Sequence, residues 1–258
     1  MIVVIDKITC GYDKKILIRD LSFQLNLGEA ICILGANGIG KTTLFKTILG
    51  QIKMISGDVF VNEKSVKTMS TKERSKIFSY VPQAKAYTYR YTVNDIVMMG
   101  RAPYIEKFSS PSQQDYKAVQ ETLDKLSLNH LSNRFYDELS GGEQQIVLIA
   151  RAIAQNANYI LLDEPASNLD FYNQSKLIQI INMMKQEKIG VLMVSHNPEH
   201  AFQCCEKALL IGKSGQYFYG ETSKTITEDN LKIIYETDVG IKTFTDANND
   251  RRYSFYVK

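Results

Sequence analysis

The chain has 258 residues, 44% of them hydrophobic and 23% charged, proportions that fit a folded globular protein and exclude a disordered, fibrous or collagen-like one. Its 31 basic and 28 acidic residues are scattered and leave a net charge of +3, so charge alone calls for neither nucleic acid nor an acidic membrane. The cysteines Cys10, Cys32, Cys204 and Cys205 lack C-x-x-C spacing and read as reduced, structural residues of a cytosolic protein. No apolar run approaches the roughly 20 residues that cross a bilayer, and the early Asp6 and Lys7 do not fit a signal peptide.

Alternating and β-branched apolar residues at 2–4 and 16–25, punctuated by Gly11 and Gly28, predict strands of a small antiparallel sheet. Residues 30–34 predict a strand buried on both faces, followed by a glycine-rich turn and a helix over 41–49. Strand patterning returns at 58–61 and 77–81. From about residue 112 to 130 apolar positions recur at helical spacing and predict a helical insertion. Helical patterns at 144–154 and 173–185 then alternate with buried-strand patterns at 159–162 and 190–194, so a βαβ core continues across the insertion. Residues 239–244 and 251–257, around Asp246-Ala-Asn-Asn-Asp250, predict a terminal hairpin.

The run Gly35-Ala36-Asn37-Gly38-Ile39-Gly40-Lys41-Thr42 matches G-x-x-x-x-G-K-[ST] between a predicted buried strand and a helix. Glycines let backbone N–H groups curl around phosphate oxygens at the positive end of the following helix. Lys41 would reach the β- and γ-phosphates, the Thr42 hydroxyl would face Mg²⁺, and Thr43 would reach the α-phosphate. This loop specifies a nucleoside triphosphate and no particular enzyme. Tyr159-Ile-Leu-Leu-Asp163-Glu164-Pro165 places two carboxylates at the end of an apolar strand, where ligands gather in open α/β sheets. Asp163 suits the water shell of Mg²⁺, and Glu164 suits a general base that polarises attacking water.

Leu139-Ser140-Gly141-Gly142-Glu143-Gln144 precedes a predicted helix, where Ser140 would serve simply as its N-cap. Two glycines and a free hydroxyl at a helix N-terminus also fit a second phosphate site. The run resembles the signature of the ABC ATPases, L-S-G-G-[EQ]-Q, and the similarity extends over nearly all of the sequence. That resemblance implies an α/β fold: a P-loop NTPase (RecA-like) core with an antiparallel β subdomain and an inserted α-helical subdomain. It implies one ATPase domain over 1–240, with the helical part at about 84–150, and a hairpin-like extension over 241–258 packed on the same domain. It further implies ATP and Mg²⁺ as cofactors and a head-to-tail dimer, in which Ser140, Gly141, Gly142 and Gln144 of one copy cover the ATP held by the other.

Further positions resemble the family in order. Tyr12 is similar to the aromatic residue that stacks on adenine, although a surface strand tyrosine is the plainer alternative. Gln83 resembles the glutamine that touches Mg²⁺ and the attacking water, with a solvated loop residue as the alternative. Ser167-Asn168-Leu169-Asp170 resembles the dimer-interface loop; alanine commonly stands where this chain has Asn168, which leaves Asp170 in place and the part played by Asn168 open. His196 resembles the histidine that contacts the γ-phosphate, whereas His130 and His200 read as surface or internally satisfied residues.

The segment after Gln83 is where ABC family members grip a transmembrane subunit. Its pattern Val93-x-Asp95-x-Val97-x-x-Gly100-Arg101-x-Pro103-Tyr104 resembles the subgroup serving importers of iron siderophores, haem and cobalamin, and related oxyanion carriers. Burial of a short helix accounts for Val93 and Val97, but less readily for Gly100-Arg101 with Pro103. The resemblance thus implies two permease subunits, an extracytoplasmic substrate-binding protein acting indirectly, and a peripheral location on the cytoplasmic face of the cell (inner) membrane. A soluble ABC ATPase of translation or DNA maintenance is the alternative; such proteins carry two modules or a coiled coil, and this chain has one module, no heptad run and no basic stripe for nucleic acid.

Overall fold

The computed structural model describes residues 1–12, 15–83, 90–106, 108–167, 169–213, 215–245 and 251–258. Asn168, the expected hairpin tip at Asp246–Asp250 and the expected start of the helical insertion near residue 84 lie outside them.

The chain opens with β1 (Ile2–Tyr12) and β2 (Lys15–Asn26), paired antiparallel, and then enters β3 (Ala30–Gly35), the phosphate loop and α1 (Lys41–Ile48). After β4 (Ser56–Val61) and β5 (Lys64–Ser65) come α2 (Thr71–Ile77) and β6 (Phe78–Val81). Among the described residues the α-helices α3 (Val93–Met98), α4 (Gln113–Lys125) and α5 (Gly141–Ala154) follow. The core resumes with β7 (Tyr159–Asp163), α6 (Phe171–Gln186), β8 (Gly190–Val194), α7 (Pro198–Cys204), β9 (Lys207–Ile211) and β10 (Tyr217–Glu221). It closes with α8 (Thr222–Thr225), α9 (Glu228–Tyr235) and the hairpin β11 (Val239–Thr245) and β12 (Arg251–Val257).

Two sheets carry the molecule. One is antiparallel, in the order β2-β1-β4-β5; the other runs β10-β9-β3-β8-β7-β6 and is parallel except where β10 joins β9. Side chains of a strand alternate between faces, and β3 divides accordingly. Ile31 and Ile33 join a core with Phe23, Leu44, Phe45 and Val59, beneath the antiparallel sheet and α1. Ala30, Cys32 and Leu34 join the opposite core, with Ile96, Val119, Ile149, Ile181 and Ala201 from the helices. β7 splits the same way, Tyr159 and Leu161 against Ile160 and Leu162. Burial on both faces is why these strands are continuous apolar runs.

Helix starts follow local chemistry. Ser70 with Glu73, Thr92 with Asp95, Ser112 with Asp115 and Ser140 with Glu143 each form a reciprocal capping box, each cap contributing about 1 kcal/mol. Strand β1 is longer than its expected span of 2–4 because register shifts between Ile5 and Gly11 break the alternation that reveals a strand in sequence. All four cysteines are buried and free, and no described helix is long and apolar enough to cross a membrane.

Candidate active site

Parallel strands β3, β7 and β8 deliver the expected catalytic groups from their C-terminal ends, the edge at which open α/β sheets bind ligands. Gly35 ends β3 where a Cβ would lie 2.5 Å from the Ile211 carbonyl oxygen. Gly38 and Gly40 adopt φ of +77° and +108°, and a Cβ on Gly40 would meet Leu17 at 2.8 Å. Backbone conformation favours glycine at both positions, and at Gly40 space requires it as well. Gly40 also starts α1 with no side-chain cap and no acidic residue in the first turn. The N–H donors of that turn, together with the helix dipole, form a site for an anion.

Lys41 is 5% exposed, and its Nζ donates to the carbonyls of Gly35 at 2.7 Å and Ala36 at 3.0 Å. Burial pushes its pKa below the ordinary lysine value, and the Glu164 and Asp163 carboxylates pull back in the other direction. Asn37, Gly38 and Thr42 are exposed at the loop, whereas Thr43 faces inward and its carbonyl accepts from Thr47 Oγ1 at 2.8 Å.

Asp163 is 6% exposed at the end of β7. Its Oδ2 accepts from the Tyr80 hydroxyl at 2.9 Å, while Oδ1 is buried with no hydrogen-bond partner. An unpaired buried carboxylate oxygen costs roughly 1–3 kcal/mol or more, a cost a cation would relieve. With the Thr42 hydroxyl and the Gln83 amide, the donors are hard oxygens of the kind Mg²⁺ takes, so the residues present fit that ion.

Glu164 has φ of +51°, a left-handed conformation that costs a non-glycine residue about 1–3 kcal/mol. The strained turn is held by Ser167, whose N and Oγ donate to the Glu164 carbonyl at 3.1 and 2.8 Å. It brings Glu164 Oε1 within 2.6 Å of His196 Nε2. His196 follows Ser195, whose N–H donates to the Ile33 carbonyl at 3.0 Å and so fixes the end of β8 against β3. Gln83 joins the same corner, its Nε2 donating to Ser167 Oγ at 2.8 Å. The structure therefore brings together Gln83, Glu164 and His196, and sets Lys41 close enough to feel both carboxylates.

The signature residues begin another helix, α5. Ser140 caps α5, its Oγ donating to Glu143 Oε2 at 2.8 Å and accepting from the Glu143 N–H at 3.3 Å. A Cβ on Gly141 would meet open space, and one on Gly142 would strike Asn173 Nδ2 at 2.3 Å. Gln144 turns back, its Nε2 donating to the carbonyls of Tyr136 and Leu139 at 3.0 and 3.3 Å, so its side chain shapes the loop. Asp170 caps α6 by accepting from the Asn173 N–H at 2.8 Å. None of these residues lines the cleft around Glu164 and His196. Tyr12 ends β1, half exposed beside Lys53 and Ile55.

His200 is the internally satisfied histidine expected, buried with Nδ1 2.9 Å from Ser195 Oγ, and His130 is exposed. The Gly100-Arg101 pair, set apart in sequence as part of the importer-subgroup pattern, belongs to the interior. Arg101 Nε donates to Asp115 Oδ1 at 2.9 Å, a terminal nitrogen donates to the Ala154 carbonyl at 2.8 Å, and the guanidinium lies 4.0 Å from the Tyr104 ring centroid. A Cβ on Gly100 would strike the Arg151 carbonyl at 2.1 Å. Sequence reading missed two supports, Tyr80 on Asp163 and Ser167 between Gln83 and Glu164. The first depends on strand register, Tyr80 lying opposite Leu161; only the position of Ser167 within the expected interface loop hinted at the second.

A family model described as ABC transporter matches residues 18–167. The molybdate import ATP-binding protein MolC of Haemophilus influenzae is 36% identical over 220 residues, 85% of this chain and 81% of MolC. The iron(3+)-hydroxamate import ATP-binding protein FhuC of Bacillus subtilis is 29% identical over 244 residues, 94% of this chain and 91% of FhuC. Among solved structures, a transporter described as of metal-chelate type, in an inward-facing conformation, superposes with a TM-score of 0.89 at 31% identity, covering 99% of this chain and 97% of that one. These similarities favour an importer over a soluble ATPase of translation or DNA maintenance. The chain belongs to the ABC transporter family, as an ATP-binding subunit whose hydrolysis of ATP powers import.

Proposed function

We propose that two copies of this chain close head to tail on two ATP molecules and drive two permease subunits from the cytoplasmic face of the inner membrane. The carrying observation is a second glycine-bearing helix N-terminus, at α5, in addition to the uncapped one at α1. The uncapped start of α1 holds phosphate, while Ser140–Gly142 at the start of α5, with open space at Gly141 and no part in lining the cleft around Glu164 and His196, covers a neighbour's nucleotide. Asp170, exposed at the start of α6, belongs to the same contact face, and Gln144 acts by holding the signature loop. The ATPase domain spans 1–240, including the helices of about 84–150, with 241–258 as an extension.

Each side chain then has a task. Tyr12 stacks on adenine; Lys41 and the N–H groups from Gly35 to Thr43 hold phosphate oxygens. Thr42, Gln83 and Asp163 would hold Mg²⁺, which would neutralise negative charge on the phosphate oxygens. With a proton on Nε2, His196 donates to Glu164 Oε1 and leaves Oε2 to take a proton from the attacking water. The strained Glu164 turn, tied to Gln83 through Ser167, fixes that carboxylate.

A groove of about 550 Å³ between Gly50, Arg74, Met99 and Gln155 receives a permease segment. The cargo is a metal chelate or a related oxyanion, delivered by an extracytoplasmic binding protein; similarity to MolC, FhuC and the metal-chelate type transporter supports this class. Glu164→Gln tests the core of the proposal: the variant should bind ATP, lose turnover and elute as an ATP-dependent dimer on size exclusion. An active or persistently monomeric variant would refute it.

A further inference from the structure

Strand β6 carries a residue that neither the catalytic motifs nor the family positions absorb. The ring of Tyr80 lines the groove beside Gly50, Met99 and Gly100. It also packs edge-on against Phe45 of α1, at 88° with 6.4 Å between ring centroids. Its hydroxyl leaves that setting and donates across to the neighbouring strand, 2.9 Å from Asp163 Oδ2. Parallel register makes the reach possible, because Tyr80 stands opposite Leu161, two residues short of Asp163 along β7.

The consequence lies in the two carboxylate oxygens. A carboxylate at a strand end can turn about its Cβ–Cγ bond and present either oxygen or both. A hydrogen bond on Oδ2 from a ring that is itself held by packing fixes the plane of the group. That leaves Oδ1, buried and without a hydrogen-bond partner, as the oxygen available to a cation. Groups that hydrogen-bond a metal ligand set its orientation, and removing them typically weakens metal binding about 10- to 100-fold.

We infer that Tyr80 is a positioning residue for Asp163, holding Oδ2 so that Oδ1 is presented to the metal. The inference rests on the proposed part of Asp163 in holding Mg²⁺, and its test separates the two. Tyr80→Phe keeps the ring and removes only the hydroxyl. Binding of trinitrophenyl-ATP is titrated with Mg²⁺, and separately in EDTA, for the full-length chain, Tyr80→Phe and Asp163→Asn; Mn²⁺ binding is followed in parallel by electron paramagnetic resonance.

The expected result for Tyr80→Phe is a Mg²⁺ midpoint raised about 10-fold or more and weaker Mn²⁺ binding. Nucleotide affinity in EDTA stays unchanged, the metal-free melting temperature falls by no more than the loss of one buried hydrogen bond, and turnover recovers as Mg²⁺ is raised. If Tyr80→Phe titrates like the parent while Asp163→Asn is shifted, Tyr80 only packs and the inference is overturned. If the nucleotide affinity in EDTA falls as much as metal binding, the effect is structural and the inference is likewise overturned. If Asp163→Asn itself leaves the Mg²⁺ titration unmoved, the part given to Asp163 fails first and takes the inference with it.

Discussion

Replacing Arg101 by alanine should destabilise the chain by about 3 kcal/mol. Arg101 and Asp115 are 11% and 6% exposed at their side chains, so solvent screens their interaction little. Truncation leaves Asp115 Oδ1 and the Ala154 carbonyl without their donors and removes the guanidinium from the Tyr104 ring. Breaking such a pair from one side costs about 3–5 kcal/mol. The lower end applies because Asp115 keeps two donors from Ser112, its N–H at 2.9 Å and its Oγ at 2.6 Å. With a urea dependence of about 3 kcal/mol/M, the unfolding midpoint falls by about 1 M. In a double-mutant cycle, Arg101→Ala with Asp115→Asn should cost less than the sum of the single changes. A loss below about 1 kcal/mol, the range of an exposed ion pair, would refute the burial argument and return Arg101 to the docking surface.

Burial holds the His200 pKa below the ordinary 6.5. As pH falls through 6.5 the unfolded chain takes up the proton first, so stability declines from there down to the lowered native pKa and levels below it. His200→Gln should flatten that decline in melting temperature between about pH 7 and 5; an equal slope in both proteins would show that His200 does not contribute. Tyr12→Ala should raise the KM for ATP by about tenfold, the scale of one stacked base, with kcat unchanged. An unaltered KM would return Tyr12 to the status of a surface strand residue.

Much of the candidate site was legible because its motifs are contiguous. Gly35–Thr42 and Asp163-Glu164 each lie on one strand–loop junction, and β3, β7 and β8 announce themselves as unbroken apolar runs. β9 escaped notice although Ala208–Ile211 is equally buried, because no motif follows it and a short apolar run does not distinguish strand from helix. Arg101 belongs to the pattern that pointed to metal-chelate importers, but a charged residue in sequence gives no sign of the Asp115 carboxylate and Ala154 carbonyl that the fold places around it. The Tyr80 and Ser167 contacts were invisible because each joins residues more than 80 positions apart or closes a turn onto its own backbone. Ser140 is an N-cap, as its position before α5 indicated, and the same geometry leaves Gly141 open to a partner.

Complementation between two inactive chains tests the shared site most directly. Ser140→Arg and Lys41→Ala should each abolish hydrolysis alone, the first while still binding nucleotide. Mixed, they form dimers in which the Lys41 of one chain meets the intact Ser140 of the other, and ATPase activity should reappear in proportion to the mixed dimer. If both variants fold and bind each other yet every mixture stays inactive, or if Ser140→Arg alone loses nucleotide affinity, the site lies within one chain and the two-copy account is contradicted.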